Sequence, residues 1–227
     1  TPGSIQDTQF AIFSDNSFRD ENGTLWVKAG TSLTVVPKAE SGYNTAVESG
    51  PLSDDGIWQF TLANYNVRGK AAESLEASAS YRVDGEAPEG EISVSGTDKS
   101  GFSNNSAAAA LTYAKDKGSG IKSVQARLVK MKTGVQSEET AEEGSGEWTD
   151  WGVGQSWSIQ GDGTYSLSVR LTDRVGNTSI IKSPVFTIDT AAPRIEISGL
   201  MDGVSYNGGA AARVTVRDLN ILEEDID

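Results

Sequence analysis

Tyr81-Arg82-Val83-Asp84-Gly85-Glu86-Ala87-Pro88 returns 105 positions later as Phe186-Thr187-Ile188-Asp189-Thr190-Ala191-Ala192-Pro193. The register continues without a gap, so Glu91-Ile92-Ser93 falls on Glu196-Ile197-Ser198. Each copy runs aromatic, polar, β-branched, Asp, two small or polar residues, Ala, Pro, and then an alternating stretch. A signature that recurs at a long fixed spacing marks tandem units. Proline fixes its own φ and pushes the residue before it towards extended backbone. The stretch therefore predicts the last strand of one unit, a stiff joint and the first strand of the next.

These joints divide the chain into segments 1–86, 87–189 and 190–227. Length alone permits one large domain or two ordinary ones, and the repeat selects two units and a remainder of 38 residues. A unit of ~100 residues buries a core of its own, whereas one below ~40 usually needs help. The remainder is expected to be the start of a third unit cut short, its strands frayed or leaning on the second.

Hydrophobic alternation at period two, the mark of half-buried strands, fills both long segments. In 1–86 it runs through Phe10 and Ile12, Leu25 and Val27, Leu33 and Val35, Trp58 to Leu62, and Leu75 to Val83. In 87–189 it runs through Ile92 and Val94, Leu111 and Tyr113, Val124 to Leu128, Trp157 and Ile159, Tyr165 to Leu171, and Phe186 and Ile188. Turn-formers such as Asp20-Glu21-Asn22-Gly23 and Asp54-Asp55-Gly56 separate the runs. With a short strand near Trp148, the second segment holds about seven strands, the number of an immunoglobulin-like sandwich. The fold expected is all-β: antiparallel immunoglobulin-like β-sandwiches in tandem, end to end. Ser106 to Leu111 and Lys70 to Leu75 are rich in helix formers. Each lies among strands, so tertiary context is expected to outweigh propensity.

The sharpest local signal is Thr172-Asp173-Arg174-Val175-Gly176-Asn177. Asp with Gly three residues later fits a tight turn in which the carboxylate accepts turn amides and Gly takes positive φ.

The chain has no cysteine and no histidine. That removes disulfides, zinc-thiolate sites, thiol nucleophiles, Ser-His-Asp triads and histidine-bound metals. A net charge of −13 repels nucleic acid and anionic lipid. No run of the sequence is long and apolar enough to insert in a membrane, and no pair of acids stands at a defined catalytic spacing. No enzyme activity is expected.

Asp116-Lys117-Gly118-Ser119-Gly120-Ile121, Asp162-Gly163-Thr164-Tyr165, Thr172 to Ser179 and Ile188 to Pro193 follow one another in order. That order resembles the bacterial Ig-like repeats of large exported surface proteins, particularly of Gram-positive bacteria. The likeness covers 87–189 and the opening of 190–227 best, and 1–86 mainly from Gly56 onward. It implies an extracellular location, at the bacterial cell surface or secreted, and a non-catalytic spacer or adhesin-stalk role. The partners it implies are neighbouring Ig-like modules of the same chain. The family supplies no catalytic residues. Some Gram-positive surface domains carry Lys–Asn isopeptide crosslinks, for which Lys115 or Lys122 with Asn177 are the only pairings suggested here.

Three sites compete with purely structural readings. Trp148, Trp151 and Trp157 cluster in sequence and suit an aromatic platform for a glycan or a host surface protein. The structural alternative places Trp148 and Trp157 in the core with Trp151 partly exposed. The acids Glu138, Glu139, Glu142, Glu143, Glu147 and Asp150 lack the oxygen spacing of a calcium loop and read as a solvated charge run. At the joints, Asp84, Glu86 and Asp189 are available to calcium, with Asp116 or Asp173 brought near by the fold. The alternative there is that the aspartates accept backbone hydrogen bonds at strand ends.

Overall fold

The computed structural model describes residues 5–6, 10–38, 41, 43, 45–65, 71–131 and 146–218. These residues form an all-β structure without an α-helix. The first segment contributes β1 (Ile5–Gln6), β2 (Phe10–Phe13), β3 (Ser17–Arg19), β4 (Leu25–Lys28), β5 (Thr34–Pro37), β6 (Val47–Glu48), β7 (Gly56–Tyr65) and β8 (Ala71–Asp84). The second contributes β9 (Glu89–Ser95), β10 (Phe102–Ser103), β11 (Ser106–Lys115), β12 (Ile121–Met131) and β13 (Thr149–Asp150). It continues with β14 (Ser156–Gln160), β15 (Gly163–Asp173), β16 (Thr178–Lys182) and β17 (Phe186–Ile188), and the third holds β18 (Arg194–Ser198) and β19 (Arg213–Arg217).

Each of the five sheets takes its strands from one segment. In the first segment the orders are β1-β2-β5-β6 and β3-β4-β8-β7. Alternation turns one set of side chains from each sheet inward. Ile12 and Val35 from one meet Leu25, Val27, Phe60, Leu62 and Ala79 from the other in a single apolar cluster. The second segment repeats this with β14-β11-β9 and with β10-β17-β15-β12-β13, where β16 shares the β15 edge with β17. Ile92, Ala109, Leu111 and Ile159 of the smaller sheet pack with Ala126, Leu167, Val169, Leu171, Phe186 and Ile188 of the larger.

The alanine-rich stretch from Ser106 is strand, as tertiary context requires. β11 pairs with β14 on one side and β9 on the other, and Ala107, Ala109 and Leu111 alternate inward with 3%, 0% and 0% exposure. A helix would forfeit both ladders and break that inward row. The two-residue β10 is too short for periodicity to reveal. It is defined by parallel pairing, Phe102 opposite Thr187 and Ser103 opposite Ile188. β4 makes the corresponding parallel pairing with the end of β8, Leu25 opposite Tyr81 through Lys28 opposite Asp84.

The two copies differ in one instructive way. β8 is continuous over 14 residues, whereas its counterpart is split into β16 and β17 at Ser183-Pro184. Pro184 stands where the repeat has Ala79, and a proline cannot donate to a ladder. Ser183 covers the gap: its amide donates to Leu167 O (2.8 Å) and its Oγ accepts from Leu167 N (2.9 Å).

In the third segment β18 and β19 pair only with each other. Ile195, Ile197 and Val214 remain 65%, 66% and 58% exposed, so these side chains do not lean on the second core.

Burial separates the energetic weight of these positions. Leu167 is fully buried, and Leu167→Ala is expected to lower the unfolding free energy of the second segment by about 3 kcal/mol. Ile195→Ala should change stability by no more than about 0.5 kcal/mol. Urea denaturation followed by tryptophan fluorescence checks both values.

Candidate functional site: three aspartates at the first joint

Asp84 ends β8, Asp116 directly follows β11, and Asp173 ends β15. Because β12 and β15 are antiparallel, the loop entering β12 and the loop leaving β15 lie at the same end of the second segment. They are tied together where Arg174 N donates to Gly120 O (3.0 Å). The end of β8 meets them there. One oxygen from each of the three carboxylates lies within 4.8 Å of the others. Asp84 and Asp173 are buried, at 3% and 0% exposure, and Asp116 is half-buried.

Backbone amides hold each carboxylate. Asp173 Oδ1 accepts from Val175 N (3.0 Å), Gly176 N (2.6 Å) and Asn177 N (2.7 Å), and its Oδ2 accepts from Asn177 Nδ2 (2.8 Å). Gly176 has φ 94°, which completes the turn expected from the Asp-x-x-Gly spacing. Asp116 Oδ2 accepts from Gly118 N (3.0 Å) and Gly120 N (2.7 Å). Asp84 Oδ1 accepts from Glu86 N (3.2 Å), and its Oδ2 crosses the joint to accept from Ser119 N (2.7 Å). The Asp84 carbonyl is also shared: it accepts from Ala29 N (3.0 Å) in the first segment and Asn177 Nδ2 (3.1 Å) in the second.

Further contacts close the joint. Lys28 Nζ donates to Gly176 O (2.9 Å), the Arg174 guanidinium lies 4.6 Å from the Phe18 ring centroid, and Ser179 Oγ donates to the carbonyl of buried Pro88. Gly118 lies against Asp84 so closely that a β-carbon there would fall 2.3–2.6 Å from its carboxylate atoms. The structural reading of the joint aspartates as backbone acceptors is therefore realised at Asp84, and at Asp189, whose Oδ1 accepts from Ala191 N (3.0 Å).

The electrostatics are unbalanced. Among the described residues no lysine or arginine pairs with any of the three carboxylates. The nearby pair, Lys117 with Glu86 at 3.7 Å, is exposed and joins neither the cluster nor its charge. Burial pushes the Asp173 carboxyl above its ordinary range, and the Asp84 charge adds to this against the pull of the turn amides. Two polar atoms stay buried without a hydrogen-bond partner, Asp116 Oδ1 and Ser119 Oγ.

The structure distributes the other sequence candidates elsewhere. Trp151 and Trp157 stack on each other, with centroids 5.2 Å apart and planes 21° apart, both half-buried against the second core. Trp148 instead lies over Arg127 and Arg170, 4.7 and 4.6 Å from their guanidinium carbons. Glu138, Glu139, Glu142 and Glu143 lie outside the described residues, while Glu147 and Asp150 are exposed. Lys115 and Lys122 are also exposed, and the Asn177 amide nitrogen is engaged by Asp84 and Asp173, so the geometry does not assemble a crosslink. The sequence reading passed over the roles of Gly118 and Ser119. The Asp-x-Gly-x-Gly spacing from Asp116 was the available signal.

At the second joint Asp162 Oδ1 accepts from Thr190 N (2.9 Å) and Thr190 Oγ1 (2.8 Å).

No family model matches the chain, and no curated protein does. Among solved structures, the chain is similar to one described as a tetra-tandem repeat in the extending region of a large adhesion protein. The identity is 14%, the TM-score is 0.29, and the match covers 95% of this chain and 56% of that one. The chain thus spans about half the length of that structure.

Two outcomes follow from the joint geometry. Gly118→Ala forces apart a loop and the carboxylate it covers, and should lower the melting temperature of the full chain by several degrees. Calorimetry on the pair of proteins checks this. At the second joint, the Thr190 amide and hydroxyl hold the Asp162 carboxyl below its ordinary value of 3.8. A depressed carboxylate stabilises the fold above the unfolded pKa, and this support is lost as pH falls through the folded pKa. The Asp162 carboxyl carbon should titrate below 3.8 by NMR, and Thr190→Val should move that midpoint upward.

Proposed function

We propose that the chain is a non-catalytic structural spacer, part of the stalk of a bacterial surface adhesin, built from tandem immunoglobulin-like β-sandwiches. The observation that carries this reading is the first joint. Asp84 belongs by chain to the first segment and by hydrogen bonding to both, through its carboxylate to Ser119 and its carbonyl to Ala29 and Asn177. A flexible linker would leave these groups to water. A joint that buries them restricts the angle between successive units, which is the mechanical property a spacer needs.

Other features support the same reading. Each sheet is confined to one segment, and each long segment has an apolar cluster drawn from two sheets, as separate sandwiches require. The Asp-to-Pro signature recurs at 105 residues, so the same joint can be used again along a longer array. The motif resemblance to exported surface repeats supports a location outside the cell. No helix among the described residues is long and apolar enough to cross a membrane.

The joint is testable by distance. The chain has no native cysteine, so Thr61→Cys and Ser158→Cys, both at exposed positions of different segments, give one spin-label pair. Pulsed electron paramagnetic resonance should show one narrow distance distribution, and Asp84→Ala should broaden it severalfold. A broad distribution in the labelled parent would refute the rigid-spacer reading.

A further inference from the structure

From the three-aspartate cluster we infer that the first joint is a calcium site, with Asp84, Asp116 and Asp173 as its protein ligands. This goes beyond the spacer reading and does not rest on it. Calcium takes oxygen ligands at about 2.3–2.6 Å, so two oxygens on one ion stand no more than about 5 Å apart. The three carboxylate oxygens lie within 4.8 Å of one another and meet that limit without movement.

Spacing alone describes many acidic clusters, and the unused bonding capacity at this one singles it out. A carboxylate offers roughly four acceptor positions. Eight N–H contacts reach the three groups, two at Asp84, two at Asp116 and four at Asp173. Both Asp116 amides bond to Oδ2, so Oδ1 is buried with no partner at all. Ser119, only 6% exposed, likewise keeps its Oγ without a partner, in the loop whose amide holds Asp84. Buried oxygens in native proteins are overwhelmingly hydrogen-bonded, so two orphans beside three unneutralised carboxylates point to a missing hard cation. Half-buried Asp116 leaves a path for the ion and for the waters that would fill its remaining positions.

The ligands come from both segments, so binding would couple the end of β8 to the two loops of the second segment. It would not supply chemistry.

The test uses the full chain. Titration calorimetry with calcium chloride should give a site with one ion per chain. The melting temperature should rise by several degrees in millimolar calcium relative to chelator, because an ion bound only by the folded state stabilises it by mass action. Asp116→Asn keeps an acceptor for Gly118 and Gly120 but removes a charge, and should weaken calcium binding at least tenfold. Magnesium, which demands closer octahedral oxygens, should not reproduce the effect. If the variant does not fold, manganese(II) broadening in NMR spectra of the parent chain decides the matter. Broadening centred on the amides of Gly118–Gly120 and Val175–Asn177 supports the site. Identical melting in calcium and chelator, an equal response in Asp116→Asn, or broadening centred elsewhere overturns it. Any of these leaves the inter-segment distance distribution untouched, so the two readings fail separately.

Discussion

A buried carboxylate must find donors, and at the first joint the donors for Asp84 come from two parts of the chain. That requirement organises the region. Glu86 N and Ser119 N take one oxygen each, while the Asp84 carbonyl is divided between Ala29 and Asn177. Ser119 N reaches Asp84 only because Gly118 has no side chain, and the Asn177 amide is aimed by Asp173. Removing one donor leaves a buried acceptor unpaired, which costs more than a typical hydrogen bond contributes. The joint is thus held by mutual satisfaction of polar groups, with little apolar contact across it beyond Phe18 beneath Arg174.

The apolar cores do different work. Two clusters, each assembled from two sheets of its own segment, allow each segment to be stable without its neighbour. Separate cores joined by a polar contact suit an array, since a unit can be added without repacking the one before. The split of β16 from β17 at Ser183-Pro184 shows how much local change the pattern absorbs. Ser183 replaces the ladder bonds that Pro184 cannot make, and the parallel pairing with β10 matches that of β8 with β4.

The same economy explains the tryptophans. An aromatic cluster in sequence looks like a surface for stacking. Here Trp151 and Trp157 cover each other beside the core, and Trp148 covers the guanidinium groups of Arg127 and Arg170 on adjacent strands. Each indole has a protein neighbour, and the three do not present themselves as one flat row.

The sequence by itself determined the all-β class, the repeating joint, the Asp173 turn and the inward residues of the long strands. Those features are written in local terms: period two, proline geometry, and an Asp-x-x-Gly spacing that a carboxylate and a positive-φ glycine can satisfy alone. Only the tertiary structure decided that Ser106 to Leu111 is strand, because two neighbouring strands outweigh alanine's helix propensity there. It alone revealed β10, whose two residues are ordered by a partner 85 positions away. It also decided the joint. Asp84, Asp116 and Asp173 stand at the ends of three different stretches of chain, and their meeting depends on strand lengths and register that no local pattern carries.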